Sequence, residues 1–382
     1  MKVTQLHTII NSVTKEILGE TAVVNEDLTN VVDIGKTIID QENGIDNYVR
    51  KLVNHIGKVI FVNRAYAGGV PSVLMDSWEY GSILEKISAD LPEAHENESW
   101  KLTDGQSYDQ DVFYQPKVEA TFFNSRVTFE IPMSFTERQV KESFSSAEQL
   151  NGFISMLTTS IENSMTVKLD ALIMRAINNM IGETLNGVAA SPRKVNLLEL
   201  YNATVTTPLT AATAIHSPEF VRFAAYQIAL VSDRMSKIST LFNSKGKARF
   251  TPAEARRVVL LSDFAKASEI LTASVTDNAD RVALPVHDSV PYWQGTGTGY
   301  GFSDVSSIDV KVASGVVVKK SGILGVVFDK DAVGVANLDR RVTTNYNAKA
   351  EFYNNYYKMD AGYYNDLSEN FVVFYVEDAV GA

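Results

Sequence analysis

The chain has 382 residues, 45% hydrophobic and 21% charged, a balance that supports folded cores and excludes wholesale disorder. Its 35 basic against 46 acidic residues leave a formal charge of −11, ill suited to a surface that clamps nucleic-acid phosphates. The absence of cysteine excludes a disulfide framework, a thiolate nucleophile and cysteine-based zinc sites, and no apolar run approaches the ~20 residues that cross a bilayer. The opening Met1-Lys2-Val3-Thr4-Gln5 carries no apolar core and no small-residue cleavage site, so the start reads as cytosolic.

Residues 1–78 read as an N-terminal arm with helical pieces. Leu6, Ile9, Ile10, Val13 and Ile17 recur at helical spacing, as do Ile45, Val49, Leu52, Val53 and Ile56. Neither stretch can form a core alone, so both are expected to pack on later segments or on another chain. Leu91 to Pro116 is polar and acidic, with Trp100, Leu102, Val112, Phe113 and Tyr114 as its apolar points. A loop of that length is out of place inside a compact domain. Strand patterns flank it, Trp78–Ile87 ahead and Val118, Ala120 and Phe122 behind, followed after Asn124-Ser125 by Val127, Phe129 and Ile131. A two-stranded ribbon is marginal by itself, so this one is expected to lie on a neighbouring subunit.

Ser145 with Glu148 forms a capping-box signature, and an apolar stripe from Leu150 to Met180 then keeps the 3, 4, 7 spacing up to Gly182. This predicts a helix of roughly 35 residues, about 50 Å long. Ser134 with Glu137 predicts a short helix ahead of it. Between Ala190 and Gly301 the pattern is mixed: Ser217-Pro218-Glu219 starts a helix, Val258–Leu261 is a buried strand, and Ser262-Asp263 opens another helix. Strands return at Ile308–Val312, Val316–Val318, Leu324–Phe328, Arg341–Met359 and Phe371–Val376.

No catalytic or cofactor motif is complete. Asp33-Ile34-Gly35-Lys36-Thr37 lacks the first glycine of a P-loop, Asn30 standing in its place, and Gly35 reads as a helix-terminal glycine. Gly295–Gly301 misses the dinucleotide fingerprint at Tyr300 and Phe302 and reads as a connecting loop. Asp329-Lys330-Asp331 fails as a calcium loop at Val333 and Arg340, and the five histidines have no metal-ligand spacing. The chain is therefore expected to have no catalytic, metal or cofactor residues. Aromatic residues concentrate after Asn345, including Tyr353 and Tyr356, which suits a strand core together with an interface.

The order of parts resembles the major capsid proteins of tailed bacteriophages, whose fold is shared with the shell floor of herpesviruses. Particular phrases resemble those of phages of Gram-positive hosts: Phe122-Phe123-Asn124, Val127-Thr128-Phe129-Glu130-Ile131-Pro132, Ser146-Ala147-Glu148-Gln149-Leu150, Val290-Pro291-Tyr292-Trp293-Gln294-Gly295, Asn345-Tyr346-Asn347-Ala348, and Glu369 to Tyr375. The resemblance implies an α+β phage capsid fold. Its parts would be an arm at 1–78, an extended hairpin loop at 79–134, and the spine helix with the first part of the peripheral domain at 135–205. An axial domain at 206–301 and the remaining peripheral and axial strands at 302–382 complete it.

It also implies a non-enzymatic virion protein, assembled in the host cytoplasm into pentamers and hexamers of an icosahedral shell around double-stranded DNA. Partners would be further copies of itself, portal and head-completion proteins and a separate scaffolding protein, since no long charged helical segment precedes the arm. Inter-subunit contacts are expected at Trp100, Phe113 and Tyr114, aromatics in a polar loop, at Lys101 beside them, and at Tyr353 and Tyr356. Some relatives join a loop lysine to a neighbour's asparagine; Lys101 and Asn354 or Asn355 occupy comparable places, although no motif requires the link. A cargo-enclosing nanocompartment of the same fold and a soluble α/β enzyme using carboxylates or a phosphate site at Gly295–Gly301 are the competing readings.

Overall fold

The computed structural model describes residues 3–18, 24–25, 30–40, 47–48, 50–51, 70–75, 84–89, 94–108, 111, 113, 115, 117–145, 147–187, 191–273, 284–293, 295–296 and 306–378. In the arm, α1 (Val3–Leu18) and α2 (Val31–Ile39) bury Ile10, Val13 and Ile38 in the same core as the spine helix, so these arm helices pack on their own chain. Gly35 lies inside α2 rather than at its end, where Phe144 packs so close that a Cβ would have no room. The phosphate-loop phrase is thus a helical packing site. Of the second arm stretch, Tyr48 is buried with its ring 4.9 Å from that of Phe144, while Ile45, Val49, Leu52, Val53 and Ile56 lie outside the described residues.

The strand β1 (Leu74–Met75) follows, then an antiparallel ribbon of β2 (Leu84–Ala89) and β3 (Val118–Phe123) with the long loop between them. β4 (Arg126–Thr136) leaves the ribbon for another sheet and runs into α3 (Glu137–Ser143). The cap of α3 is Thr136 with Gln139, not Ser134 with Glu137: the Thr136 hydroxyl accepts from Gln139 N and the Gln139 side chain accepts from Thr136 N. Ser134 is still in the strand, its hydroxyl bonded to Asn354. The spine α4 (Ala147–Asn186) has 40 residues, and the Ser145 hydroxyl meets Gln149 at its start. The helix passes through Gly182, where a Cβ would come within 3.1 Å of Val310 Cγ1. Close approach of a strand, not termination, is why glycine stands there.

Beyond the spine come β5 (Lys194–Asn196), α5 (Leu197–Asn202), α6 (Ala211–Ala214) and α7 (Pro218–Arg234), which Ser217 caps from Phe220 N as its sequence requires. Next are β6 (Arg256–Leu261), α8 (Ser262–Ala273), β7 (Asp288–Val290) and β8 (Gly295–Thr296). The chain ends in β9 (Ser307–Lys311), β10 (Val317–Ser321), β11 (Ile323–Asp329), β12 (Val333–Asn347), β13 (Phe352–Asn365) and β14 (Phe371–Tyr375). These strands make a long sheet, β1-β12-β13-β4, a small one, β10-β9-β8, and a central one, β5-β14-β11-β6-β7.

The central sheet is a wall shared by two cores. Val259, Leu261, Val326, Phe328, Phe371 and Val373 pack with the spine, while their neighbours Val258, Leu260, Leu324, Val327, Val372 and Phe374 pack with α5, α7 and α8. Period-two alternation sends successive side chains to opposite faces, and both faces are covered, so these strands read as continuous apolar runs. Trp293 pins the wall to the spine, its indole Nε1 donating to Ile323 O at 2.9 Å and its own carbonyl accepting from Asn178 Nδ2 at 2.5 Å.

Candidate assembly interface

The β2–β3 ribbon has two unlike faces. Residues Leu84, Lys86 and Ser88 pair across from Phe123, Thr121 and Glu119, and this face is turned to the body except at Glu119. At its centre Lys86 Nζ sits 2.7 Å from Asp366 Oδ2 and 2.8 Å from Glu369 Oε1, with Arg249 Nε a further 3.3 Å from the Glu369 carboxylate. Lys247 reaches Glu119 at 2.9 Å, and the Phe123 and Tyr364 rings lie 4.9 Å apart. Burial works against the Lys86 charge, but the bonds from Asp366 and Glu369 outweigh it and hold the ammonium above its usual range. Asp366 likewise overcomes its burial: Lys86 and the Ser368 hydroxyl and N–H keep its carboxyl below the usual range. The ribbon is therefore rooted by charge on a stretch some 280 residues away in sequence.

Its other face, Glu85, Ile87 and Ala89 across from Phe122, Ala120 and Val118, is exposed and apolar but for Glu85. Ile87, Val118 and Phe122 are exposed there together. The alternation of Val118, Ala120 and Phe122 is visible in the sequence; that it faces outward is not.

The loop beyond the ribbon is organised by its own polar groups. Ser99 N donates to Asn97 Oδ1 at 2.8 Å, Thr103 N to the Tyr108 hydroxyl at 3.0 Å, and Lys101 pairs with Glu96 at 3.0 Å. These contacts shape a one-turn 3₁₀ segment, Glu98–Trp100, that presents Trp100 with 95% of its surface in solvent. Phe113 is 85% exposed, and Leu102 is exposed as well. Scattered exposed apolar residues are ordinary; here a tryptophan, a phenylalanine and the ribbon's Ile87, Val118 and Phe122 are exposed in one ribbon and its loop.

Among the residues expected at interfaces, Trp100, Lys101 and Phe113 are each exposed in this loop, and Tyr114 is outside the described residues. Tyr353 belongs to the subunit's own core: it is 1% exposed, against Phe135 and Tyr346. Tyr356 is half-buried on the opposite face of β13, 5.9 Å from Lys358 Nζ. Strand parity separates the two tyrosines. Asn355 is fully buried, bonded to Thr344 and to Met133 O, and is closed to any lysine from outside in this conformation.

Among the described residues no cluster of acidic, histidine or cysteine side chains is placed to hold a metal ion, and no helix is long and apolar enough to cross a membrane. Asp329 closes the turn between β11 and β12, its carboxylate accepting from Asp331 N at 3.0 Å. Gly295 and Thr296 pair with Ile308 and Asp309 as strand, and Gly297–Gly301 lie outside the described residues.

A family model described as Phi29-like phage major capsid protein matches residues 10–375. The major capsid protein of Bacillus phage GA-1 is 24% identical over 191 residues, 45% of this chain; the match spans only 39% of that relative's length. Among solved structures, a chain in the capsid of Staphylococcus phage Andhra superposes with a TM-score of 0.53 at 9% identity, covering 82% of this chain and 86% of that one. A chain in the structure of head fiber and inner core protein gp22 of native bacteriophage P68 gives 0.53 at 9%, covering 82% and 85%. At such identities the likeness is one of fold, and the fold is that of phage capsid subunits.

Proposed function

The chain belongs to the Phi29-like phage major capsid protein family, and from that membership we propose that its copies assemble into pentamers and hexamers of an icosahedral shell enclosing double-stranded DNA. The observation that carries this reading is the charge-rooted projection with Trp100 and Phe113 in solvent. A subunit that exposes such groups gains by burying them on a neighbour, each ring removing roughly 150–250 Å² from water. Head-to-tail contacts of this kind close into rings when the rotation closes, and rings close into shells. Trp100, Lys101, Phe113 and Tyr114 are the loop residues assigned to the inter-subunit contact, with Tyr356 on the long sheet a further one. The subunit's role is structural rather than catalytic, and assembly takes place in the host cytoplasm with a separate scaffolding protein, a portal and head-completion proteins as partners.

Electron microscopy of the purified protein, alone and with the phage's scaffolding protein, tests the reading. Closed shells, or rings of five and six subunits, are the expected outcome. Small uniform oligomers under both conditions would overturn it.

A further inference from the structure

The sequence contains three Asn-Gly steps, at Asn43, Asn151 and Asn186, and the first lies outside the described residues. An asparagine before glycine is chemically labile, because without a Cβ the next backbone nitrogen can reach the side-chain amide carbon. The other two steps share one tripeptide, Leu150-Asn151-Gly152 and Leu185-Asn186-Gly187, so their intrinsic reactivity is alike. Their places in the fold differ. Gly152 lies inside the spine α4, where the helical ladder takes its N–H, whereas Asn186 is the last residue of that helix and Gly187 stands beyond it. Asn186 is exposed, its Nδ2 donating to Ser314 Oγ at 3.2 Å, and the Gly187 N–H makes a long bond to Thr184 O at 3.3 Å. Positive charge converges on this glycine. Arg193 Nη2 lies 3.2 Å from where a Gly187 Cβ would stand, and Lys194 Nζ donates to Gly187 O at 2.5 Å. Arg193 also bonds through Nε to the Ser191 hydroxyl and through Nη1 to that of Ser244, and among the described residues neither cation has a carboxylate partner. Burial, then the charges of Arg193 and of Lys320 (itself paired with Glu377), hold the Lys194 ammonium below its usual range.

We propose that Asn186 is a site of spontaneous deamidation, favoured by the two cations gathered at Gly187. The Gly187 nitrogen gives its proton to solvent and attacks Asn186 Cγ; the Cγ–Nδ2 bond breaks and ammonia leaves, closing a succinimide. Water then opens the ring to aspartate or isoaspartate, so the net change is amide plus water to acid plus ammonia. Arg193 and Lys194 assist because the deprotonated nitrogen and the tetrahedral oxyanion that follows it are both negative. The product places a carboxylate at the end of the spine, next to cations that no carboxylate meets beforehand. The site is distinct from the loop projection and stands whether or not that projection mediates assembly.

Peptide-level mass spectrometry of the full-length protein, aged at physiological temperature and mildly alkaline pH, tests it. The expected result is a gain of one mass unit at Asn186, with isoaspartate among the products, about tenfold faster than at Asn151. In denaturant the two steps should react at similar rates, because only the fold separates them. Arg193→Gln and Lys194→Gln should each slow the reaction at Asn186 severalfold, and Lys194→Arg should leave it unchanged. Local unfolding would speed the reaction, so a slowing is not a folding defect. Asn186 no faster than Asn151 in the native protein, the same separation in denaturant, or a rate lowered by neither glutamine variant would overturn the proposal.

Discussion

In the central sheet every residue of β11 is buried, and the two faces of that strand serve two different cores. In the β2–β3 ribbon one face is turned to the body and held by ion pairs, while the other leaves Ile87, Val118 and Phe122 in solvent. Both β11 and the ribbon are built on antiparallel pairing and both carry apolar side chains, although the ribbon mixes in Glu85, Lys86, Ser88, Glu119 and Thr121 and has only two strands. The difference is what the chain itself supplies to cover each surface: helices and a spine for the sheet, nothing among the described residues for the outer face of the ribbon. Stability of the subunit should therefore reside in the sheet, and association in the ribbon and its loop, with the ion-paired root as the joint between the two.

The largest expected effect is at the sheet. Trp293→Ala removes a fully buried side chain and orphans the Ile323 carbonyl, and should cost about 3–5 kcal/mol in denaturant unfolding of the subunit. Lys86→Ala should cost about 2 kcal/mol, because the buried Asp366 carboxylate loses its cation. Its particular signature is faster proteolysis within residues 94–117, with Lys86→Arg restoring protection. Trp100→Ala or Phe113→Ala should leave subunit unfolding unchanged within about 0.5 kcal/mol. Each should instead weaken association by about 2 kcal/mol per contact, roughly thirtyfold, read from the subunit concentration at which shells form by light scattering. A stability loss from Trp100→Ala as large as that from Trp293→Ala would erase the distinction between the regions.

Acid gives a smaller effect at the root. The Asp366 carboxyl titrates below the ordinary carboxylate range in the fold, so its contribution is complete above that range and fades as pH falls through the lower folded value. Lys86 is raised, so its contribution is complete below the ordinary lysine range and fades only as pH rises through the higher folded value. Hydrogen exchange at Leu84–Ala89, corrected for intrinsic rates, should accelerate below about pH 4 and stay constant across neutral pH. The loss should be less than that in Lys86→Ala, since a protonated Asp366 can still hydrogen-bond. Smallest of all is Lys101→Ala: its pair with Glu96 is 69% and 82% exposed, and subunit stability should shift by no more than about 0.5 kcal/mol.

Local signals were the legible part of this molecule. The apolar stripe from Leu150 to Met180 became the spine, Ser217-Pro218-Glu219 became the start of α7, and the unbroken apolar runs at 258–261 and 371–376 became strands buried on both faces. Where two local signals overlapped, the sequence could not rank them: Ser134/Glu137 and Thr136/Gln139 both spell a capping box, and the ladder from β4 to β13 decides by keeping Ser134 in strand. Gly35 and Gly182 look like stops until the partners Phe144 and Val310 are known. Trp100 and Phe113 were readable as exposed aromatics because a polar context is itself a local property. Tyr353 was not separable from Tyr356 without the strand register, and the Lys86–Asp366–Glu369 cluster leaves no trace in either neighbourhood because it exists only in three dimensions.

The order β5-β14-β11-β6-β7 places β14 between β5 and β11, both of which precede it in the chain. Until residues 371–375 emerge, β11 has an open edge and both cores lack Phe371, Val372, Val373 and Phe374. Pairings across such sequence distances close late. Synthesis past Tyr375 thus acts as a licence for folding: a product interrupted before β14 retains an unfinished wall and has no finished subunit to offer a growing lattice, so translation itself proofreads the supply of building blocks.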